Sequence, residues 1–91
     1  MVFEWDETKS DTTRSRRGYG FDTAVLIFRS AVIERIDDRF DYGETRVKAI
    51  GETGGRIIVV IYTDLPGIRR IISSWPASRK DRALWQSFVK L

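Results

Sequence analysis

Residues 54–75 read "GGRIIVVIYTDLPGIRRIISSW", and the fold turns on them. The run "RIIVVIYT" (56–63) is apolar at both parities and rich in β-branched side chains. A strand of that kind is covered on both faces, so it belongs at the centre of a sheet. "ETGG" (52–55) precedes it, with glycines able to take positive φ in a tight hairpin. "DLPG" (64–67) follows as a Pro-Gly turn, and "IRRIISSW" (68–75) returns as the next strand.

Working towards the N-terminus, "TRVKAIG" (45–51) alternates. Thr45, Val47 and Ala49 take one face, Arg46 and Lys48 the other. "AVIERID" (31–37) is a further strand, joined to it through a turn in "DRFDYGE" (38–44). These four segments form an antiparallel meander. "FDTAVLIFRSA" (21–31) has helical spacing, with Phe21, Ala24, Val25 and Phe28 on one stripe. Leu26 and Ile27 widen that stripe, either into the core or towards a partner chain.

The polar segment "DETKSDTTRSRR" (6–17) reads as a helix capped by Asp6, with cations late, as the macrodipole favours. Gly18 and Gly20 end it. "MVFEW" (1–5) is a short edge strand. Pro76 closes the last strand, Ser78 is an N-cap, and Asp81 stands where a capping box reaches back. The final helix, 79–90, carries Leu84, Trp85, Phe88 and Val89 on one side and Arg79, Arg82, Gln86 and Lys90 on the other. The expectation is one α+β domain over 1–91: a short N-terminal strand, two helices, a meander of about four strands, and a C-terminal helix. The helices are expected on one face of the sheet.

Composition narrows the chemistry. The 91 residues include 16 Lys and Arg against 13 Asp and Glu, for a net charge of +3. Twelve of the cations are Arg, whose planar fork suits phosphate or carboxylate. Such a bias reflects either base composition and solubility or a polyanionic partner. Without Cys or His there is no disulfide, no thiolate nucleophile and no ordinary zinc site, so no metal or cofactor is expected. The longest apolar run, "IIVVIY", is too short to span a bilayer and no secretory leader opens the chain, so a cytoplasmic location is expected.

In order, "FEWDETK" (3–9), "GYGF" (18–21), "YGETR" (42–46), "GRIIVVIYT" (55–63), "IRRIIS" (68–73) and "ASRKDR" (77–82) resemble the BrnT family. Nearly the whole chain is covered. The resemblance implies a RelE-like fold and a ribonuclease toxin of a type II toxin–antitoxin module that stops translation. It also implies a neighbouring BrnA-like antitoxin that binds DNA, and a 2:2 complex that touches DNA only through that antitoxin. Trp5, Asp6, Lys9, Gly18, Phe21, Arg46, Gly51, Arg70 and Ser73 keep the family pattern. The sequence departs at Thr13, where the family has Asn, and at Arg16-Arg17, where it has Lys-His. It departs again at Ser74, Trp75 and Pro76, where a run such as Ala-Arg-Arg is usual.

RNA carries its own nucleophile, the 2′-OH, so the protein must align it, accept its proton and stabilise the phosphorane. Arg46, Arg70 and Arg79 are the candidate catalytic cations, expected to converge on one patch. Arg17, Lys48 and Lys80 are candidate RNA-binding residues. Strict alternation groups Arg70 with Ile72 and Ser74, and Arg69 with Ile71 and Ser73. Arg79 and Lys80 open the last helix, whose N–H groups favour phosphate. For each cation the plain alternative is a solvated charge or a surface ion pair. Glu4, Asp6, Glu44, Lys48 and Tyr62 are the open choices for proton acceptor. Trp75 is an antitoxin anchor, a core residue or a base-stacking platform.

Two rival functions stand beside the nuclease. One is a BrnT-like binding module that serves its antitoxin as co-repressor without cutting RNA. The other is a single-strand binder without catalysis.

Overall fold

The computed structural model describes residues 1–90. In chain order the elements are β1 (Val2–Glu4), α1 (Glu7–Arg17), α2 (Phe21–Ala24) continuing as a 3-10 helix (Val25–Arg29), β2 (Ile33–Ile36), β3 (Val47–Thr53), β4 (Arg56–Leu65), β5 (Ile68–Pro76) and α3 (Arg79–Val89). The fold is α+β, as expected. The sheet has five strands in the order β1-β5-β4-β3-β2. β2 to β5 form the antiparallel meander, and β1 joins the far edge parallel to β5.

β4 is central because its sequence leaves no polar face. Ile58, Val59, Val60, Ile61, Tyr62 and Thr63 are all buried. Each large side chain removed from water contributes roughly 1.5–3 kcal/mol, so β4 requires cover on both sides. The expectation of helices on one face is therefore corrected. On the first face Ile58, Val60 and Tyr62 pack with Tyr19, Phe21, Ala24 and Ile27. On the second face Val59 and Ile61 pack with Ile50, Ala77 and Trp85 of α3.

The segment 21–31 is shorter and tighter than its pattern predicts. Phe21, Ala24 and Ile27 are the fully buried residues, three apart, while Val25 and Phe28 are half-buried. A three-residue repeat is the signature of the 3-10 geometry that takes over at Val25. The close approach to β3 explains it: a Cβ on Gly51 would lie 2.8 Å from Ile27 Cβ and 3.0 Å from Val32 Cγ1. The polar helix α1 is held by local bonds rather than by burial. Asp6 accepts from Thr8 N at 2.8 Å and Lys9 N at 3.2 Å. Gly18 ends the helix with φ of 84°. Ser10, its one buried residue, accepts the Phe21 backbone N–H at 2.9 Å.

No described helix is long and apolar enough to cross a membrane.

Candidate nucleic-acid interface

Register places the cations. Val47 pairs with Tyr62 and Ile36 with Val47, so the preceding residue, Arg46, falls opposite Thr63 on one side and Asp37 on the other. The Asp37 N–H donates to Arg46 O at 2.8 Å, which extends the ladder to that point. Thr63 pairs with Arg70, and Arg70 with Glu4. One row of the second face thus reads Asp37, Arg46, Thr63, Arg70, Glu4. Adjacent strands lie ~4.8 Å apart, which puts the Arg46 and Arg70 backbones about 10 Å from each other.

That grouping depends on an irregularity that alternation cannot foresee. The β4–β5 register shifts between Ile61 and Tyr62, which leaves Ile72 as an extra residue in β5. The face assignments of "IRRIISS" therefore change across Ile72. Arg69 and Ile71 lie on the first face with Ser74, whereas Arg70 lies on the second with Ser73 and Trp75. This replaces the grouping expected from strict parity. Arg69 is absorbed into the first face: its guanidinium stacks 3.9 Å from the Tyr62 ring and 4.9 Å from Phe28, and bonds Asp64 at 2.8 and 2.9 Å. Those bonds hold the Asp64 carboxyl below the usual carboxylate range.

Three cations of the second face carry a carboxylate. Arg70 bonds Glu4 at 2.8 Å, Arg46 bonds Glu44 at 3.0 Å, and Lys48 meets Asp81 of α3 at 2.9 Å. The Ser78 cap is therefore one-sided: its Oγ accepts from Asp81 N at 3.1 Å, while the Asp81 carboxylate goes to Lys48 rather than back to the cap. Around Arg70, a cleft of about 280 Å³ is lined by Glu4, Trp5, Asp6, Lys9 and Ile72. Two separate sequence fragments, "FEWDETK" and "IRRIIS", meet there. Around Lys48, a second cleft of about 560 Å³ collects Arg35, Lys80 and Asp81.

The remaining cations go elsewhere. Arg79 is exposed, on the side of α3 opposite Asp81, Leu84 and Trp85, and lines neither the Arg70 cleft nor the Lys48 cleft. Arg17 lies with Arg56 and Arg82 in a cleft at the other end of the sheet. Arg56 and Thr63 are seven positions apart along β4, about 23 Å at ~3.3 Å per residue. Tyr62 faces the first side, away from the row, and its burial pushes the hydroxyl pKa up to about 12. Trp75 is partly buried on the second face beside Val59 and Trp85.

Sequence reading took 38–44 as holding a plain turn and missed the order that Asp37 gives it. Asp37 is buried, and its carboxylate accepts from Arg39 Nε at 2.7 Å, Arg39 Nη2 at 3.0 Å and Tyr42 Oη at 3.2 Å. The bonds from Arg39 outweigh burial and hold the Asp37 carboxyl below its ordinary range. Arg39 lies 5.4 Å from the Trp75 ring, and Arg46 stacks 4.0 Å above Tyr42. The clue was an acid with an Arg two residues on and a Tyr five residues on, in "DDRFDY".

A family model described as "Ribonuclease toxin, BrnT, of type II toxin-antitoxin system" matches residues 5–81. The chain belongs to that family, whose members are ribonuclease toxins of type II toxin–antitoxin systems, a class defined by an antitoxin protein partner. A search of curated proteins gives no match.

Proposed function

We propose that this chain is an endoribonuclease that cuts RNA without a metal and thereby inhibits translation in the cytoplasm. A BrnA-like, DNA-binding antitoxin would neutralise it in a 2:2 complex, and DNA would be met only through that antitoxin. The observation that carries the RNA reading is the row in which Arg46 and Arg70 flank Thr63 on one sheet face. RNA would lay a phosphate between the two guanidiniums, with Lys48 and Lys80 holding the adjoining strand. The 2′-OH attacks the adjacent phosphorus, the P–O5′ bond breaks to leave a 2′,3′-cyclic phosphate, and the departing 5′-oxygen takes a proton from water, while preorganised cations stabilise the phosphorane charge. A phosphate that takes Arg70 or Arg46 displaces Glu4 or Glu44. The freed carboxylate then sits within reach as proton acceptor. Arg79 has no role in this scheme, and Arg17 binds RNA only where a strand runs the length of β4.

A second reading has support in the same face. Every cation of the row is already paired, and no His titrates near neutrality, as suits a binding module that serves its antitoxin without cutting. One experiment separates the two. The chain is expressed without antitoxin, and the purified protein is incubated with RNA in chelator. Growth arrest and cleavage products support the nuclease. Intact RNA, with a DNA-binding partner co-purifying, supports the binding module.

A further inference from the structure

The segment Asp38–Thr45 is not an idle connection between β2 and β3. Phe40 is 69% exposed, although an aromatic ring gains from burial. It is not isolated. Its ring meets Tyr42 edge-on, with centroids 5.9 Å apart, and the Tyr42 ring also carries the Arg46 guanidinium at 4.0 Å. Phe40 is thus linked through one ring to a cation of the row.

The segment is also anchored. Asp37 ties down Arg39 and Tyr42, and the Thr63 hydroxyl donates to Thr45 O at 2.8 Å. Gly43 takes φ of 70°, and its N–H donates to Asp41 Oδ1 at 3.0 Å, which sets the turn between Phe40 and Arg46. An exposed ring on a fastened loop, one ring away from a phosphate-gripping guanidinium, matches the alternation of base and phosphate along a single strand. A protein partner would be served by an apolar surround. The chain neighbours of Phe40 are instead polar, Asp38, Arg39 and Asp41, and the acids among them leave the ring to take a base while the phosphate falls to Arg46.

We propose that Phe40 is a base-stacking residue: an unpaired RNA base lies on its exposed ring while the neighbouring phosphate is held by Arg46. This rests on the nuclease reading of the row and adds its means of selecting single-stranded RNA. Paired bases are stacked on one another and cannot reach the ring.

The probe is a fluorescent single-stranded oligonucleotide, fully 2′-O-methylated so that no nucleophile remains. Its binding is measured by anisotropy across a salt series. Phe40→Ala is expected to weaken binding about 5- to 100-fold. The slope of affinity against salt should not change, because no phosphate contact is lost. Phe40→Trp restores affinity, and a strand with abasic positions removes the difference between wild type and Phe40→Ala. Equal binding by wild type and Phe40→Ala overturns the proposal. So does a loss that persists on the abasic strand. Unchanged oligonucleotide binding with lost antitoxin capture assigns the ring to a protein partner and also overturns it. Failure of the wild type to bind or cut any RNA removes the nuclease reading itself, a distinct outcome.

Discussion

Arg46 and Arg70 stand in the same row of one sheet face, separated by the single strand that carries Thr63. They are 24 residues apart in sequence, and only the β3–β4–β5 register brings them together. The β-bulge at Ile72 is what makes this possible. Without the extra residue Arg70 would point to the first face, where Tyr62 lies, and Arg69 to the second.

Glu4 occupies the position a phosphate would take on Arg70. Both side chains are about half-exposed, at 40% and 47%, so the pair stabilises the fold by no more than ~1 kcal/mol. Glu4→Gln should leave the melting temperature almost unchanged. It should raise affinity for a non-cleavable 2′-O-methyl RNA by about fivefold, the equivalent of that same pair energy. Anisotropy titration at fixed salt checks this, and unchanged or weaker binding would show that Glu4 does not compete for Arg70.

Gly51 is required by the seat of the 3-10 helix. An alanine methyl there meets Ile27 Cβ at 2.8 Å and Val32 Cγ1 at 3.0 Å. Gly51→Ala is expected to cost about 1–3 kcal/mol through overpacking. Chemical denaturation measures the loss, and a neutral result would mean that the helix is not set by this contact.

Asp37 gives the fold an acid limit. Its folded pKa is depressed, chiefly by the hydrogen bonds from Arg39. The stabilisation it confers is complete above its unfolded pKa of about 4 and disappears as pH falls through the lower folded value. Asp37→Asn should lower stability at pH 7 by about 1–3 kcal/mol, since its partners lose a charged acceptor. It should also flatten the fall in stability below about pH 4. Denaturation midpoints across pH 2–7 test both, and parallel curves for the two proteins would refute the assignment.

Much of the fold was legible where local chemistry decides it. The apolar run 56–63 declared the central strand, "ETGG" its hairpin, and Asp6 and Ser78 the two helix caps. The unread features belong to relations between distant segments. A three-residue strand such as β1 holds no mark of its partner, so its parallel pairing with β5 was invisible. The bulge at Ile72 broke the expected grouping, so that Arg70 shares its face with Ser73 and Arg69 with Ser74. The start of the last helix, with its free N–H groups, put Arg79 among the catalytic cations, whereas Arg79 is exposed on the side of α3 opposite the buried Trp85. The segment 38–44 read as a turn because its order comes from one buried carboxylate just before it, Asp37.

The most direct test compares RNA cleavage by wild type, Arg46→Ala, Arg70→Ala and Arg79→Ala, each shown to be folded by circular dichroism. Loss of a cation that stabilises the transition state should reduce kcat about 10²- to 10³-fold. That loss is expected for Arg46→Ala and Arg70→Ala, with Arg79→Ala close to wild type. Full activity in both row variants, or a loss confined to Arg79→Ala, would contradict the site on this sheet face.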